Sequence, residues 1–510
     1  MEKIKVKLKN NALLKELVEH YNQAKIGLEK ESLRFSQKGI SKNLHPKELG
    51  SPLTNKYITT DFSEALIEFI TPPLEKRGDE IDFLEDAHYL VHKCIDEESL
   101  WPFSTPPFAT EENIVIAQYG TSNLAKFKEL YRSGLAHRYG KAMQIIAGLH
   151  FNFSFSNSYL EKLNSIASHS RDSSENEIYL GVIRNIYRNN WLILYLFGSS
   201  PIVSNNLLGK GESEAIKIDS DYSYFPNATS IRMSDIGYQN TINKIEVSLS
   251  SLDEYTDSLN RAMNMYCRSF SNISEKSQIS KNVLQIEDEY YSAARPKSTN
   301  KSDQRLAKKL SKYGIQYLEL RSIDLNPFEP IGINLETILF LEIFMVYCSI
   351  IDSPNVSRKE FKEIRMNDLM VSRHGRNLDL KLRMKGQEVS LRSQARDMLN
   401  DMLYISELLD SNEINYSQVV LEKIHLIEDS SLCLSSIFLD KYFASQLSYF
   451  DFGYSIAQDN KNRYLMKKSR NMKYFDELKI ESSESITLAR KLEEKDSESF
   501  DSFMEKYFYS

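Results

Sequence analysis

The chain has 510 residues, of which 41% are hydrophobic, enough to bury a large core. Its net charge of -7 gives no electrostatic reason to expect nucleic acid or an anionic membrane as partner, so any phosphorylated ligand would need local cations, metal or arginine. The cysteines Cys94, Cys267, Cys348 and Cys433 lie far apart without CxxC or Cys/His spacing, which argues against a zinc site or disulfide framework and suits a reducing cytoplasm.

The Lys-rich opening, MEKIKVKLKNNALL, lacks an apolar run of signal-peptide length, so no secretion is expected, and the pattern to about residue 24 predicts a helix. GLEKESLRF, from Gly27, fits both a period of two and a helical turn. LIEFITPP, Leu66 to Pro73, predicts a strand or short helix stopped by a proline pair. Helices are expected at about 79–95, 121–147, 176–198 with Gly198 as cap, and 252–270. GLHFNFSFS, Gly148 to Ser156, alternates Leu149, Phe151, Phe153 and Phe155 with His150, Asn152, Ser154 and Ser156, which predicts a strand with one apolar and one polar face.

NVLQIEDEYY, from Asn282, predicts another strand, with Gln285, Glu287 and Glu289 sharing a face. Pro296 to Lys312 is rich in Lys, Ser and Asn and is expected to be an exposed, mobile loop. IQYLELRSI, Ile315 to Ile323, predicts a strand with Glu319 and Arg321 on one side, ending at the turn signal NPFEP. The most apolar window, Leu335 to Ile351, is interrupted by Glu336 and Glu342 and predicts a buried core helix, not a membrane span. Beyond Asn334 the pattern is mostly helical. The expectation is one α+β unit over residues 1–510, with a sheet-bearing catalytic core at about 20–334 and a mainly helical part at about 335–510.

Several of these strand faces carry carboxylates, a histidine and arginines where a half-buried sheet normally shows mixed Ser, Thr, Lys and Gln. A lone strand-face glutamate is more often simply solvated; the set is what carries information. Mg2+ takes oxygen ligands and often bridges carboxylates to phosphates, so Glu29, Glu31, Asp61, Glu68 and Glu319 suit it. Phosphoryl transfer depends on neutralising the moving phosphoryl group, a role open to Arg132, Arg232 and Arg321. His150 lies on the polar face of its strand. LLGKGESE, Leu207 to Glu214, lacks the first glycine of a P-loop, and no GxGxxG, GxSxG or HExxH is present. The residues alone leave three classes open: an ATP-using ligase or kinase, a metal-dependent hydrolase, and a non-enzymatic protein with a structural ion.

The chain resembles the proteobacterial glutamate-cysteine ligases in GLEKESLRF, HPKELGSPLTNKYITTDFSEALIEFITPP, WPFSTPP, AQYGTSNLAKFKELYRSGLAHRYGKAMQIIAGLHFNFSF, RNIYRNNWLILYLFGSSP, YFPNATSIRMSDIGY, NVLQIEDEYYSAARPK and YLELRSIDLNPFEPIGI, in that order. The likeness is dense from about residue 25 to 350 and thin beyond. It implies a glutamine synthetase-like fold, in which a curved, mostly antiparallel sheet forms a funnel surrounded by helices. It further implies ATP-dependent joining of L-glutamate to L-cysteine through a gamma-glutamyl phosphate, the first step of glutathione synthesis, with Mg2+ holding the triphosphate and Mn2+ able to substitute. By the same resemblance Glu29, Glu31, Asp61, Glu68, His150 and Glu319 stand at metal-ligand positions. Arg132, Arg232 and Arg321 stand where cations meet the phosphoryl group or substrate carboxylates. Phe62, Tyr131, Leu135, Gln144, Tyr238 and Tyr291 would form the cysteine pocket.

Within these motifs Lys30 and Ser32 replace the family's usual arginine and threonine, and SAARPK lacks a common proline. No functional residue is carried over from the C-terminal third. No ATP-grasp module is expected, so the product should be the dipeptide, and no obligate protein partner is expected.

Overall fold

The computed structural model describes residues 11–21, 24–167, 174–209, 211–237, 245–299, 305–466 and 472–509. Helix α1 (Asn11–Glu19) precedes the longest strand, β1 (Lys25–Ser36), followed by β2 (Gly39–Ile40), β3 (Ile58–Thr60) and β4 (Leu66–Ile70). Helix α2 (Asp79–Cys94) and β5 (Ser99–Leu100) come next, then α3 (Asn123–Tyr139), α4 (Lys141–Gln144) and β6 (Leu149–Ser154). A 3-stranded sheet of β7 (Ile202–Ser204), β8 (Ile216–Lys217) and β9 (Tyr222–Tyr224) stands apart from the main one. The main sheet is completed by β10 (Ala294–Lys297) and β11 (Tyr317–Ile323), in the order β10-β11-β6-β1-β4-β3, with β2 and β5 also paired to β1. Every pairing in it is antiparallel.

The ambiguous GLEKESLR stretch is strand because its backbone is paired along both edges, to β4 on one side and β6 on the other. Pairing on two sides outweighs any local helical preference. Glu29 and Glu31 then share one face, and Leu28, Lys30 and Ser32 the other. On that second face α2 covers the sheet: Lys30 Nζ lies 2.8 Å from His88 Nε2, and Phe69 stacks on the His88 ring at 4.0 Å.

Helices α5 (Asn157–Ala167), α6 (Glu175–Phe197), α7 (Leu252–Asn264) and α8 (Leu306–Tyr313) lie between the later strands. The apolar window folds as buried α9 (Leu335–Ile350), followed by α10 (Arg358–His374), α11 (Leu391–Leu409), α12 (Tyr416–Glu428), α13 (Leu434–Ser445), α14 (Tyr449–Met466), α15 (Phe475–Lys495) and α16 (Phe500–Tyr509). A hairpin, β12 (Lys381–Met384) with β13 (Gln387–Ser390), interrupts this helical run and had no clear sequence signal. One continuous apolar cluster runs from Leu14 to Leu478 and so includes both the sheet and the later helices. Glu342 on α9 joins distant elements, accepting hydrogen bonds from Tyr21, Arg77 and Tyr416. No helix among the described residues is long and apolar enough to cross a membrane.

The expected strand at Asn282 does not form. Glu287–Glu289 is a short 3-10 turn, because buried ion pairs pin it: Arg138 Nη1 lies 2.8 Å from Glu289 and Arg305 Nε 3.0 Å from Glu287. The expected loop at Pro296 to Lys312 is ordered at both ends, within β10 and α8, while residues 300–304 lie outside the described set. The 121–147 helix breaks at Gly140, whose φ is +82°, and the 252–270 helix stops at Asn264. Gly198 does end α6, but with φ -68° in extended backbone. Glycine is needed there for space, since a Cβ would come within 2.5 Å of the Leu194 carbonyl oxygen.

Candidate active site

Antiparallel register assembles the site. Glu29 lies opposite His150, Glu31 opposite Glu68, and Glu319 opposite both Asn152 and Arg295. Directly opposed residues point to the same side of a sheet, so five strands deliver their polar side chains to one surface. A register shift between Leu320 and Ile323 marks a bulge at Arg321, the kind of irregularity that re-aims a side chain. Asp61 joins from the β3–β4 connection, its amide donating to the Leu66 carbonyl at 3.0 Å.

Glu29, Glu68 and His150 each offer a ligand atom within 4.8 Å of the others. His150 Nδ1 is 3.1 Å from Glu29 and 3.4 Å from Glu319, and Asn152 Nδ2 donates to Glu29 at 2.9 Å. Glu319 is further tied to Arg321 at 2.9 Å and Lys297 at 3.2 Å. Glu31 accepts the Gly148 amide at 2.7 Å. A Cβ at Gly148 would collide with the Arg232 guanidinium, so this glycine lets the arginine close over the end of β6. Arg232 in turn donates to the Arg321 carbonyl at 2.9 Å and faces Asp324 at 3.6 Å.

The electrostatics separate these carboxylates. Burial, followed by Asp61, pushes Glu31 up to about 8 against the pull of Arg232 and the Gly148 amide. Glu68 is driven well above the usual range by burial and then by Glu29, Asp61 and Glu31. Burial opposes ionisation of Glu319 as well, but Arg321, Lys297 and His150 prevail and hold it well below that range. Burial and Arg321 keep His150 below its ordinary value, which favours the neutral imidazole that can act as a ligand. The result is a desolvated, self-repelling carboxylate group flanked by arginines.

Glu31, His150, Arg232, Tyr291 and Arg321 line a cavity of about 140 Å³, closed on the far side partly by Phe361, Ile364 and Asp368 of α10. Arg132 lies beside the cluster, donating to the Asp61 and Lys128 carbonyls over the Tyr119 ring at 4.7 Å. Of the expected acceptor-pocket residues, Tyr291 donates to Gln144 at 3.3 Å, Phe62 and Leu135 are buried, and the Tyr131 carbonyl accepts from Gln285. Of the described ones, Tyr291 alone lines this cavity, and Tyr238 lies outside the described residues.

Several contributors went unread in the sequence. Asn152 was legible from the same alternation that placed His150. Lys297 sits two residues beyond Arg295 on β10 and so shares its face, but the expectation of a mobile loop hid it. The α10 wall had no local signal, because its residues meet the site only through tertiary packing.

The glutamate-cysteine ligase family model matches residues 10–371. The chain is 36% identical over 501 residues to the glutamate-cysteine ligase of Alcanivorax borkumensis, covering 95% of both chains. It is 35% identical over 506 residues to that of Vibrio vulnificus, covering 96% of both. Among solved structures it is similar to the glutamate-cysteine ligase of Francisella tularensis in complex with AMP, with TM-score 0.89, 30% identity, and coverage of 96% of this chain and 98% of that one. It also matches a bifunctional glutathione synthetase from Pasteurella multocida, with TM-score 0.71, 25% identity, and coverage of 90% of this chain and 54% of that one. With its carboxylate-lined antiparallel sheet, the chain belongs to the glutamate-cysteine ligase family, ATP-dependent ligases of the first step of glutathione synthesis.

Proposed function

We propose that the polar sheet face joins the gamma-carboxylate of L-glutamate to the amine of L-cysteine through a gamma-glutamyl phosphate. The observation that carries this reading is the juxtaposition, across four antiparallel strands, of Glu29, Glu31, Glu68, His150 and Glu319 with Arg232 and Arg321. The gamma-carboxylate attacks the terminal phosphorus of ATP, forming the acyl phosphate and releasing ADP. The cysteine nitrogen then attacks the acyl carbon, loses a proton, and phosphate departs. Arg321 and Arg232 face the cavity where charge on the transferred group develops, and a fixed cation in a water-poor site stabilises such charge far better than one in bulk solvent.

The donor set fits a hard divalent cation. Glu29, Glu68 and His150 already converge, and the burial and mutual repulsion that raise Glu68 are offset by a positive ion among them. Glu29, Glu31, Asp61, Glu68, His150 and Glu319 would hold Mg2+, or Mn2+ in its place, which when bound neutralises the triphosphate. Arg132 would orient the phosphoryl group or a substrate carboxylate from the α3 side. Phe62, Tyr131, Leu135, Gln144, Tyr238 and Tyr291 would receive the cysteine side chain. Four thiols without disulfides suit work in the cytoplasm.

The test is ADP release from purified protein with ATP, Mg2+, glutamate and a panel of amines. Release that requires both glutamate and cysteine is expected. Release with another amine but not cysteine would reassign the acceptor, and turnover without any amine would point to a hydrolase.

A further inference from the structure

The last helices reach back across the molecule to α3, the helix that carries Tyr131, Arg132 and Leu135. At its start the Thr121 amide and hydroxyl donate to Glu493 at 2.9 and 2.8 Å, the Asn123 amide donates to Asp496, and the Asn123 side chain donates to the Glu498 carbonyl at 3.0 Å. A carboxylate at a helix N-terminus satisfies an otherwise orphaned amide and complements the helix dipole. One turn further on, Phe127 packs against Tyr507 with ring centroids 4.5 Å apart and against Phe503 at 6.1 Å.

The other end of α3 is held differently. Arg138 forms a fully buried pair with Glu289, and Tyr139 donates to the same carboxylate at 2.8 Å. That ties α3 to the 287–289 turn that leads directly into Tyr290 and Tyr291. Arg305, which holds Glu287 at 3.0 Å, also donates to the Phe508 carbonyl. The last helix therefore contacts both walls of the acceptor pocket, α3 directly and the Tyr291 turn through Arg305.

We propose that Asp496 and Tyr507 are positioning residues that set the width of the acceptor pocket and with it the selectivity for the amine substrate. This rests on the assignment of Tyr131, Leu135 and Tyr291 to that pocket. Arg138 and Glu289 act as the hinge, and the last segment fixes the angle. Along α3, Tyr131 is seven residues from Arg138, or about 10 Å, so a swing of about 5° shifts it by about 1 Å. Arg232, Arg321, Glu29, Glu68, His150 and Glu319 sit on the sheet and on the 231–233 turn, which these contacts do not touch, whereas Arg132 rides on α3 and reaches the Asp61 carbonyl.

The experiment compares full-length Asp496→Ala and Tyr507→Ala with Asp496→Asn and Tyr507→Phe, which keep the acceptor oxygen and the ring. Steady-state ADP release gives separate KM values for cysteine, glutamate and ATP, and 2-aminobutyrate, with a methyl in place of the thiol, serves as competing amine. The alanine variants are expected to raise the KM for cysteine about tenfold and to narrow the preference over 2-aminobutyrate, a scale set by one methyl-sized contact, with the conservative variants largely restored. The KM values for glutamate and ATP should rise less than that for cysteine, since Arg132 alone among the groups assigned to them rides on α3. Circular dichroism identifies any variant that fails to fold, and the other position then decides. Equal losses for all three substrates, a pure fall in kcat, or no change in a folded variant would overturn the proposal. If the parent protein makes no ADP with glutamate and cysteine, the functional reading itself fails instead.

Discussion

Replacing Arg321 with alanine removes the guanidinium that lines the cavity and holds Glu319 at 2.9 Å. A unit charge about 4 Å from a developing phosphoryl charge, at an effective dielectric of about 20, contributes about 4 kcal/mol. Loss of a single oxyanion donor elsewhere costs about 2.7–4 kcal/mol, or about 10²–10³ in kcat. Part of the Arg321 field is already directed at Glu319, so the lower figure, about a hundredfold, is expected. Lys297 at 3.2 Å and His150 at 3.4 Å still face Glu319, so the substitution should not leave that buried carboxylate alone and the protein should still fold. The assay is ADP release with saturating glutamate and cysteine and varied ATP. The fall should appear in kcat, with the KM for ATP little changed, because the interaction strengthens only as charge moves. Arg321→Lys should recover part of the loss, since it restores a point charge without the planar fork. A rise in KM for ATP at unchanged kcat would refute the reasoning, because it would mean uniform binding of the ground state.

Three further outcomes are expected. Glu29→Gln should raise the Mg2+ concentration for half-maximal activity by about tenfold or more; an unchanged Mg2+ dependence would contradict the ligand role. Burial brings the Lys30 ammonium down to about 7, against roughly 10.4 unfolded, so between these values the unfolded chain binds more protons and stability rises with pH, while below pH 7 the full penalty applies. Lys30→Met should therefore stabilise the protein at pH 6 by about 2 kcal/mol, after offsetting the lost His88 contact, and should flatten the rise between pH 7 and 10 in urea titrations. Finally, we propose that residues 1–510 unfold as one unit: Glu342→Ala, which leaves the buried Arg77 only Glu80 at 3.3 Å as a charged partner, should cost about 3 kcal/mol and shift a single denaturant transition, whereas two separated transitions would show that the helical part is independent.

Regular alternation was enough to identify β6 and β11 from sequence, because a half-buried strand sorts its side chains by period two and few other structures do so. That placed His150, Glu319 and Arg321 on polar faces. It failed at NVLQIEDEYY, where the same alternation comes from buried ion pairs to Arg138 and Arg305 on distant elements, not from a sheet. GLEKESLR stayed ambiguous for a related reason: the partners β4 and β6 that make it a strand lie about 40 and 120 positions away. The resemblance to a ligase family supplied the whole candidate residue set without saying how its members meet.

The sequence by itself determined the composition, the alternating strands, the buried α9 and the family. Only tertiary structure decided that Glu29 faces His150 and Glu31 faces Glu68, that Lys297 and Asn152 join them, that α10 walls the site, and that the last helix packs on α3. The physical reason is that side-chain periodicity is local, whereas register, the Arg138–Glu289 hinge and the Asp496 cap depend on chain segments up to 373 positions apart meeting in one core.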